Sequence, residues 1–274
     1  MNPAQGTEEL ETDLLLEAMY QRFGFDFRAY ERSVLRARLH ALMDQRILAT
    51  VSQVQDRALH DPATRAALLR TLSVQPGALF DAAQQARQLR AVMAATLRAS
   101  AVPKIWLAEC GGAEEAWAVA ILLAGEQLHG RTEIYATVSN EELLDSVAHT
   151  SIAAARMHEY QENYLKSGGT ANLAEYFDIS GERAVLRPDL ARRITWAQYN
   201  LVTDASFNEF QLIVCSRALA DFSPPLRRKT MQLFHDSLSR FGVLGLDRVM
   251  AVDDPLYPMY TALFAHQPWY KRMG

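Results

Sequence analysis

The chain has 274 residues, 49% of them hydrophobic and 22% charged, which excludes a disordered or low-complexity architecture. Its 28 basic and 32 acidic side chains leave a net charge of -4, without the positive field of a dedicated nucleic-acid binder, so no DNA partner is expected. Two cysteines, Cys110 and Cys215, with no CxxC pair argue against a disulfide framework or a zinc site, so no metal is expected.

The longest apolar run, Ala116 to Gly125, is about half of the ~20 residues a membrane helix needs. The opening residues are polar and acidic and carry no secretory pattern. A cytoplasmic protein without membrane insertion is the expectation, and the length predicts one large domain or two modest ones.

Residues up to about Ala101 read as successive helices. Leu14, Leu15, Ala18 and Met19 recur at helical spacing before a stop at Gly24. A second helix is expected over Phe27 to Leu48, with Tyr30, Val34, Ala37 and Ala41 on one face. Ser52 and Gln55 have the form of a capping box, and Asp61-Pro62 that of an N-cap followed by N1. Pro76-Gly77 breaks the chain before a long helix expected over Leu79 to Ala99.

After Pro103 the pattern alternates. Lys104 to Ala108, Ile134 to Val138 and Phe210 to Cys215 read as strands; a helix carrying Trp117, Val119, Ile121 and Leu122, another over Glu141 to His149, and a third over Leu226 to Phe241 read as their partners. This alternation predicts a parallel, doubly wound α/β sheet. Ser180-Gly181 between two short apolar stretches predicts a hairpin, within a small antiparallel excursion over about 164–200. The domains expected are a helical one over 1–100 and an α/β one over 101–274.

Ligands of such sheets bind at the carboxyl ends of the strands, here Ala108 to Ala113, Val138 to Asn140 and Ser216 to Asp221. Cys110 ends the first strand, where a buried structural thiol and a site thiol are both open readings. Glu114 and Glu115 open a helix, either as dipole complements or as ligand contacts. Arg28, Arg32 and Arg36 repeat every four residues, as a solvated stripe or as a docking face for an acidic partner. His158-Glu159 lacks a second histidine four residues on, so it makes no zinc helix, and no nucleotide-binding or hydrolase motif is complete.

The order of these segments and their turns resembles the CheR family of chemoreceptor glutamate methyltransferases, which use S-adenosylmethionine. The family's linker pattern, close to LTVNETSFFRD, reads Leu72-Ser-Val-Gln-Pro-Gly-Ala-Leu-Phe80-Asp81-Ala82, with Asp81 for the arginine. Its first strand and turn, WSAGCSTGEEPYS, reads Trp106-Leu-Ala-Glu109-Cys110-Gly-Gly-Ala113-Glu114-Glu115-Ala-Trp117-Ala. Its second strand, ending GTDID, reads Ala136-Thr-Val138-Ser-Asn140, so Val138 stands where the resemblance implies a ribose-binding aspartate. An N-L pair survives as Asn200-Leu201. The motif CRNVLIYF reads Cys215-Ser-Arg217-Ala-Leu-Ala-Asp221-Phe222, and the closing Trp269 to Arg272 is similar to the family's last strand.

The resemblance implies a helical N-terminal domain, a Rossmann-like methyltransferase domain, and cofactor contacts at Glu114, Glu115, Cys110, Val138, Asn200, Leu201 and Arg217. It also implies a receptor or other signalling protein as partner, with Arg28, Arg32 and Arg36 facing it. The apolar frame persists while polar positions change at almost every motif. The reading preferred is a non-catalytic regulatory or binding module with no catalytic residue, in which S-adenosylmethionine or S-adenosylhomocysteine is held weakly or not at all. Two alternatives stay open: an active glutamate O-methyltransferase, and a pocket reused for a signalling nucleotide through Arg217. The plain counterpart of the nucleotide reading is an Arg217–Asp221 pair.

Overall fold

The computed structural model describes residues 3–206 and 208–274, with no side-chain detail for residues 3–5. Four helices come first: α1 (Pro3–Phe23), α2 (Arg32–Arg46), α3 (Val51–His60) and α4 (Pro62–Leu72). Gly24 ends α1 in the left-handed region, φ 78°, with its N–H on the Tyr20 carbonyl at 2.8 Å, a conformation that costs glycine nothing. Asp61 caps α4 as expected, accepting from the Ala63 and Thr64 amides.

Several expectations for this half are corrected. The second helix starts at Arg32, not Phe27, and buries Leu35, Leu39 and Leu42 rather than Val34, Ala37 and Ala41. Tyr30 lies before it and forms a β-bridge with Phe222. Leucine buries more apolar area than alanine, and that difference sets the helix's rotation. Leu14 of α1 is exposed while Leu15 and Met19 are buried. The cap of α3 is Thr50, accepting from Gln53 N, rather than Ser52, which lies inside the helix.

The linker leads to α5 (Ala83–Thr96), four residues later than expected because Phe80 adopts a positive φ of 58°. The α/β domain follows with β1 (Lys104–Leu107), α6 (Ala113–Gly125), β2 (Glu133–Val138), α7 (Glu141–Ala148), β3 (Ile152–Ala153) and α8 (Met157–Lys166). Then come β4 (Phe177–Ser180), β5 (Arg183–Leu186), α9 (Pro188–Ala191), β6 (Ile194–Gln198), β7 (Phe210–Cys215), α10 (Pro224–Ser237), β8 (Leu238–Leu246), β9 (Tyr260–Ala262) and β10 (Trp269–Arg272). The seven-stranded sheet runs β6-β2-β1-β7-β8-β10-β9, parallel except at β10 and β9. The reversal of order beside β1 puts a crevice at the carboxyl ends of β1, β2 and β7.

The small sheet β3-β5-β4 holds the expected hairpin, with Gly181 at φ 57° in its two-residue turn. The excursion lies earlier than the expected 164–200: it begins with β3 at Ile152 and ends with β5 at Leu186, and β6 belongs to the main sheet. The helix expected to reach Phe241 ends at Ser237, where Leu238 begins β8. Its apolar spacing continues past that point, but the pairing of β8 with β7 overrides it.

Each face of the sheet supports its own core. Trp106 of β1 and Ala108 just after it point to one side and pack with Phe210, Phe234 and the apolar residues of α1–α4; Ile105 and Leu107 point to the other and pack with α5, α6 and Trp269. That two-residue alternation lets a four-residue strand bind two layers. Trp106 is fully buried, edge-on to Tyr199 and Phe234, with its Nε1–H donated to Thr137 Oγ1 at 3.0 Å.

Candidate functional site

The turn after β1 is the centre of the crevice. Glu109 holds φ 58° and is 2% exposed, a left-handed conformation that costs a non-glycine residue about 1–2 kcal/mol. Its Oε1 is buried without a hydrogen-bond partner. Burial first, and the Asp221 carboxylate after it, push its pKa up to about 7, against a hydrogen bond with Ser139. Cys110 N–H donates to the Thr137 carbonyl at 2.7 Å, tying the turn to β2.

Two glycines follow, and they face the chain itself. A Cβ on Gly111 would lie 2.5 Å from the Gln75 carbonyl oxygen, and one on Gly112 would lie 3.0 Å from the Pro76 ring. The linker backbone therefore occupies the close approach that a glycine turn makes available. Val138 is fully buried and apolar at the end of β2. Asn140 caps α7 through Leu143 N at 3.0 Å and donates to Ser73 Oγ at 3.0 Å, again joining the turn to the linker.

Glu114, Glu115 and Arg217 meet on the other side of the turn, at a cavity of ≈ 90 Å³ whose inner wall is Leu89, Leu107, Val119 and Leu122. Ser216 Oγ donates to Glu115, and burial raises the Glu115 pKa against the pull of that bond and of Arg217. Arg217 does not pair with Asp221. Its guanidinium meets Asp81 at 2.8 Å, and Asp221 instead takes Arg38 from α2 at 2.5 Å. Asp221 is one residue from the bridge to Tyr30, whose neighbour Glu31 donates its N–H to the Asp221 carbonyl at 2.8 Å, so the helical domain fixes its position.

Cys110 and Cys215 are both free and fully buried, and burial holds their thiols well above the ordinary range. Asn200 spends its side-chain oxygen on Val202 N at 2.8 Å, and Leu201 packs in the core shared with the helical domain. The expected site residues thus divide: Glu114, Glu115 and Arg217 share one cavity, while Cys110, Val138, Asn200 and Leu201 lie outside its lining.

The three arginines stay exposed and pair with neighbouring acidic side chains, most of them on α1. Arg28 lies in the loop before α2, not on it, and pairs with Asp26 and Glu17; Arg32 pairs with Asp13 and Arg36 with Glu8. Among the described residues no group of histidine, cysteine, aspartate and glutamate side chains could hold a metal, and no helix is long and apolar enough to cross a membrane.

Two family descriptions match the chain along its length: "CheR methyltransferase, all-alpha domain" over residues 10–73 and "CheR methyltransferase, SAM binding domain" over 79–252. The chain belongs to the CheR family. Cher3 of Pseudomonas putida, named as a candidate methyltransferase, is 36% identical over 250 residues, 91% of each chain. The chemotaxis protein methyltransferase of Listeria innocua is 27% identical over 52% of this chain and 51% of its own. A solved O-methyltransferase family protein from Burkholderia thailandensis matches with TM-score 0.38 and 16% identity, over 91% of this chain and 55% of that one. The Rossmann-like methyltransferase fold agrees with the strand order above.

For a CheR-family chain, the residues that sequence reasoning missed are Arg38 and Asp81 in their pairing roles. Asp81 for the family's arginine and Arg217 for its asparagine are two departures of opposite sign, and taken together they signal a contact across 136 residues.

Proposed function

We propose that this CheR-family chain is a non-catalytic member that works as a regulatory or binding module in chemosensory-type signalling. The observation that carries the reading is the turn after β1. Glu109 buries an unpartnered carboxylate oxygen there, and Gly111 backs onto the Gln75 carbonyl. As arranged, these residues do not fit S-adenosylmethionine: the turn's glycine contact is taken by the linker, and Val138 offers no acceptor for ribose hydroxyls. A lost hydrogen bond to a charged group alone weakens binding by roughly ten- to a hundredfold. Asp221, where the family pattern has a tyrosine, is tied to Arg38.

The relatives named for chemotaxis favour a receptor or another signalling protein as partner, and a cytoplasmic location accords with that. Arg217 is engaged by Asp81, which disfavours a nucleotide at that corner. Isothermal titration of the folded full chain with S-adenosylhomocysteine tests the proposal. No binding below millimolar concentration is expected. A low-micromolar dissociation constant, with methylation of receptor glutamates abolished by Glu114→Ala, establishes the active methyltransferase instead.

A further inference from the structure

A second cavity lies away from the glycine turn, between the first turns of α10 and the loop that follows β8. Its volume is ≈ 380 Å³, within the size range of small-molecule sites. Three guanidinium groups border it, from Arg227, Arg228 and Arg248, and its apolar wall includes Pro224, Met231 and Met250.

Glu31 and Asp247 lend these arginines opposing charge, but direct pairing is sparse. Arg228 and Arg248 make no ion pair among the described residues. Arg227 holds the Phe222 carbonyl at 2.7 Å and reaches Glu31 only at 3.4 Å, while its Nε is buried without a partner. Burial and the neighbouring Arg248 charge pull its pKa down, as like charges in one place do. Two carboxylates share the lining, Asp253 and Asp254. Asp254 accepts from Leu256 N at 2.9 Å, and neither carboxylate lies within ion-pair distance of an arginine among the described residues.

Unpaired arginines that converge on a concave surface match an oxyanion with several acceptor oxygens, because a planar guanidinium bonds a phosphate bidentately. The methionine and proline walls beside them suit a flat, weakly polar body, which a bare inorganic ion lacks. We propose that the α10–β8 cavity binds a phosphorylated small molecule of about mononucleotide size, with its phosphate between Arg228 and Arg248 and its apolar portion against Met231 and Met250. This site is separate from the glycine turn and does not depend on whether the chain transfers methyl groups.

The test is calorimetric titration of the full chain with adenosine 5′-monophosphate, pyrophosphate and adenosine, repeated with Arg228→Gln/Arg248→Gln. Both substitutions are at exposed positions, so the fold is retained, which circular dichroism checks. The expected result is micromolar binding of the nucleotide that weakens tenfold or more in the variant and falls steeply with salt. Equal affinity for pyrophosphate supports the anion contact and removes the claim on the apolar wall. Absence of binding by all three compounds, or nucleotide binding that the variant leaves unchanged, overturns the proposal.

Discussion

Replacing Glu109 by glutamine isolates the cost of the buried carboxylate. The folded group has its pKa at about 7 against an ordinary 4.5, and each pH decade of such a shift corresponds to about 1.4 kcal/mol, so full ionisation of Glu109 costs the folded state roughly 3 kcal/mol. The sign follows from proton binding. Below about pH 4.5 the carboxyl is neutral in both states and costs nothing extra. Between 4.5 and about 7 the unfolded chain releases its proton while the folded chain keeps it, and stability falls as pH rises; above about 7 the whole penalty is present. A glutamine side chain keeps the size of the glutamate without this titration. Urea unfolding followed by tryptophan fluorescence is therefore expected to show near-equal stabilities of wild type and Glu109→Gln at about pH 5. By about pH 8 the variant is expected to be more stable by roughly 3 kcal/mol. A gap that does not change with pH, or that favours the wild type at high pH, refutes the assignment of Glu109 as a desolvated acid without a compensating cation.

Arg38→Ala removes the cation from a pair whose side chains are 17% and 11% exposed and leaves Asp221 facing Glu109. A loss of about 3–5 kcal/mol is expected by chemical denaturation, since an uncompensated buried charge remains; a loss under about 1 kcal/mol contradicts the interdomain role. Cys110 and Cys215, both fully buried, should resist a disulfide-exchange reagent in native protein and both react in denaturant; prompt labelling of the native state refutes their enclosure. The Asp81–Arg217 pair is about one third exposed on each side, so its coupling in a double-mutant cycle is expected to stay below about 1 kcal/mol. The charge-swapped Asp81→Arg/Arg217→Asp variant should then lose little beyond the Ala78 N–H contact that Asp81 accepts at 3.1 Å. A coupling above about 2 kcal/mol shows that the pair clamps the linker.

Much of the α/β half was legible from local pattern. The strand Phe210 to Cys215 and the hairpin at Ser180-Gly181 appear where their apolar runs and turn residues put them, because β propensity and turn chemistry act over a few residues. The start of β8 was not legible. Leu238 to Phe241 continues the apolar spacing of α10, and only its pairing beside β7 makes it a strand. The rotation of α2 was missed for a similar reason: its alanines and leucines lie on adjacent faces, and contact with the other helices selects the leucines.

The same division holds for the site. Fold class, family and the positions at which the family's polar residues are replaced can all be read from the chain, because motif spacing and residue identity are local to it. What the replacements do depends on contacts made in the folded protein. Asp221 pairs with Arg38 across 183 residues and Arg217 with Asp81 across 136, and Gly111 meets the linker rather than open space. The energy of a charge depends on the groups and the solvent within a few ångströms of it, and in this chain those neighbours come from the other domain and the linker.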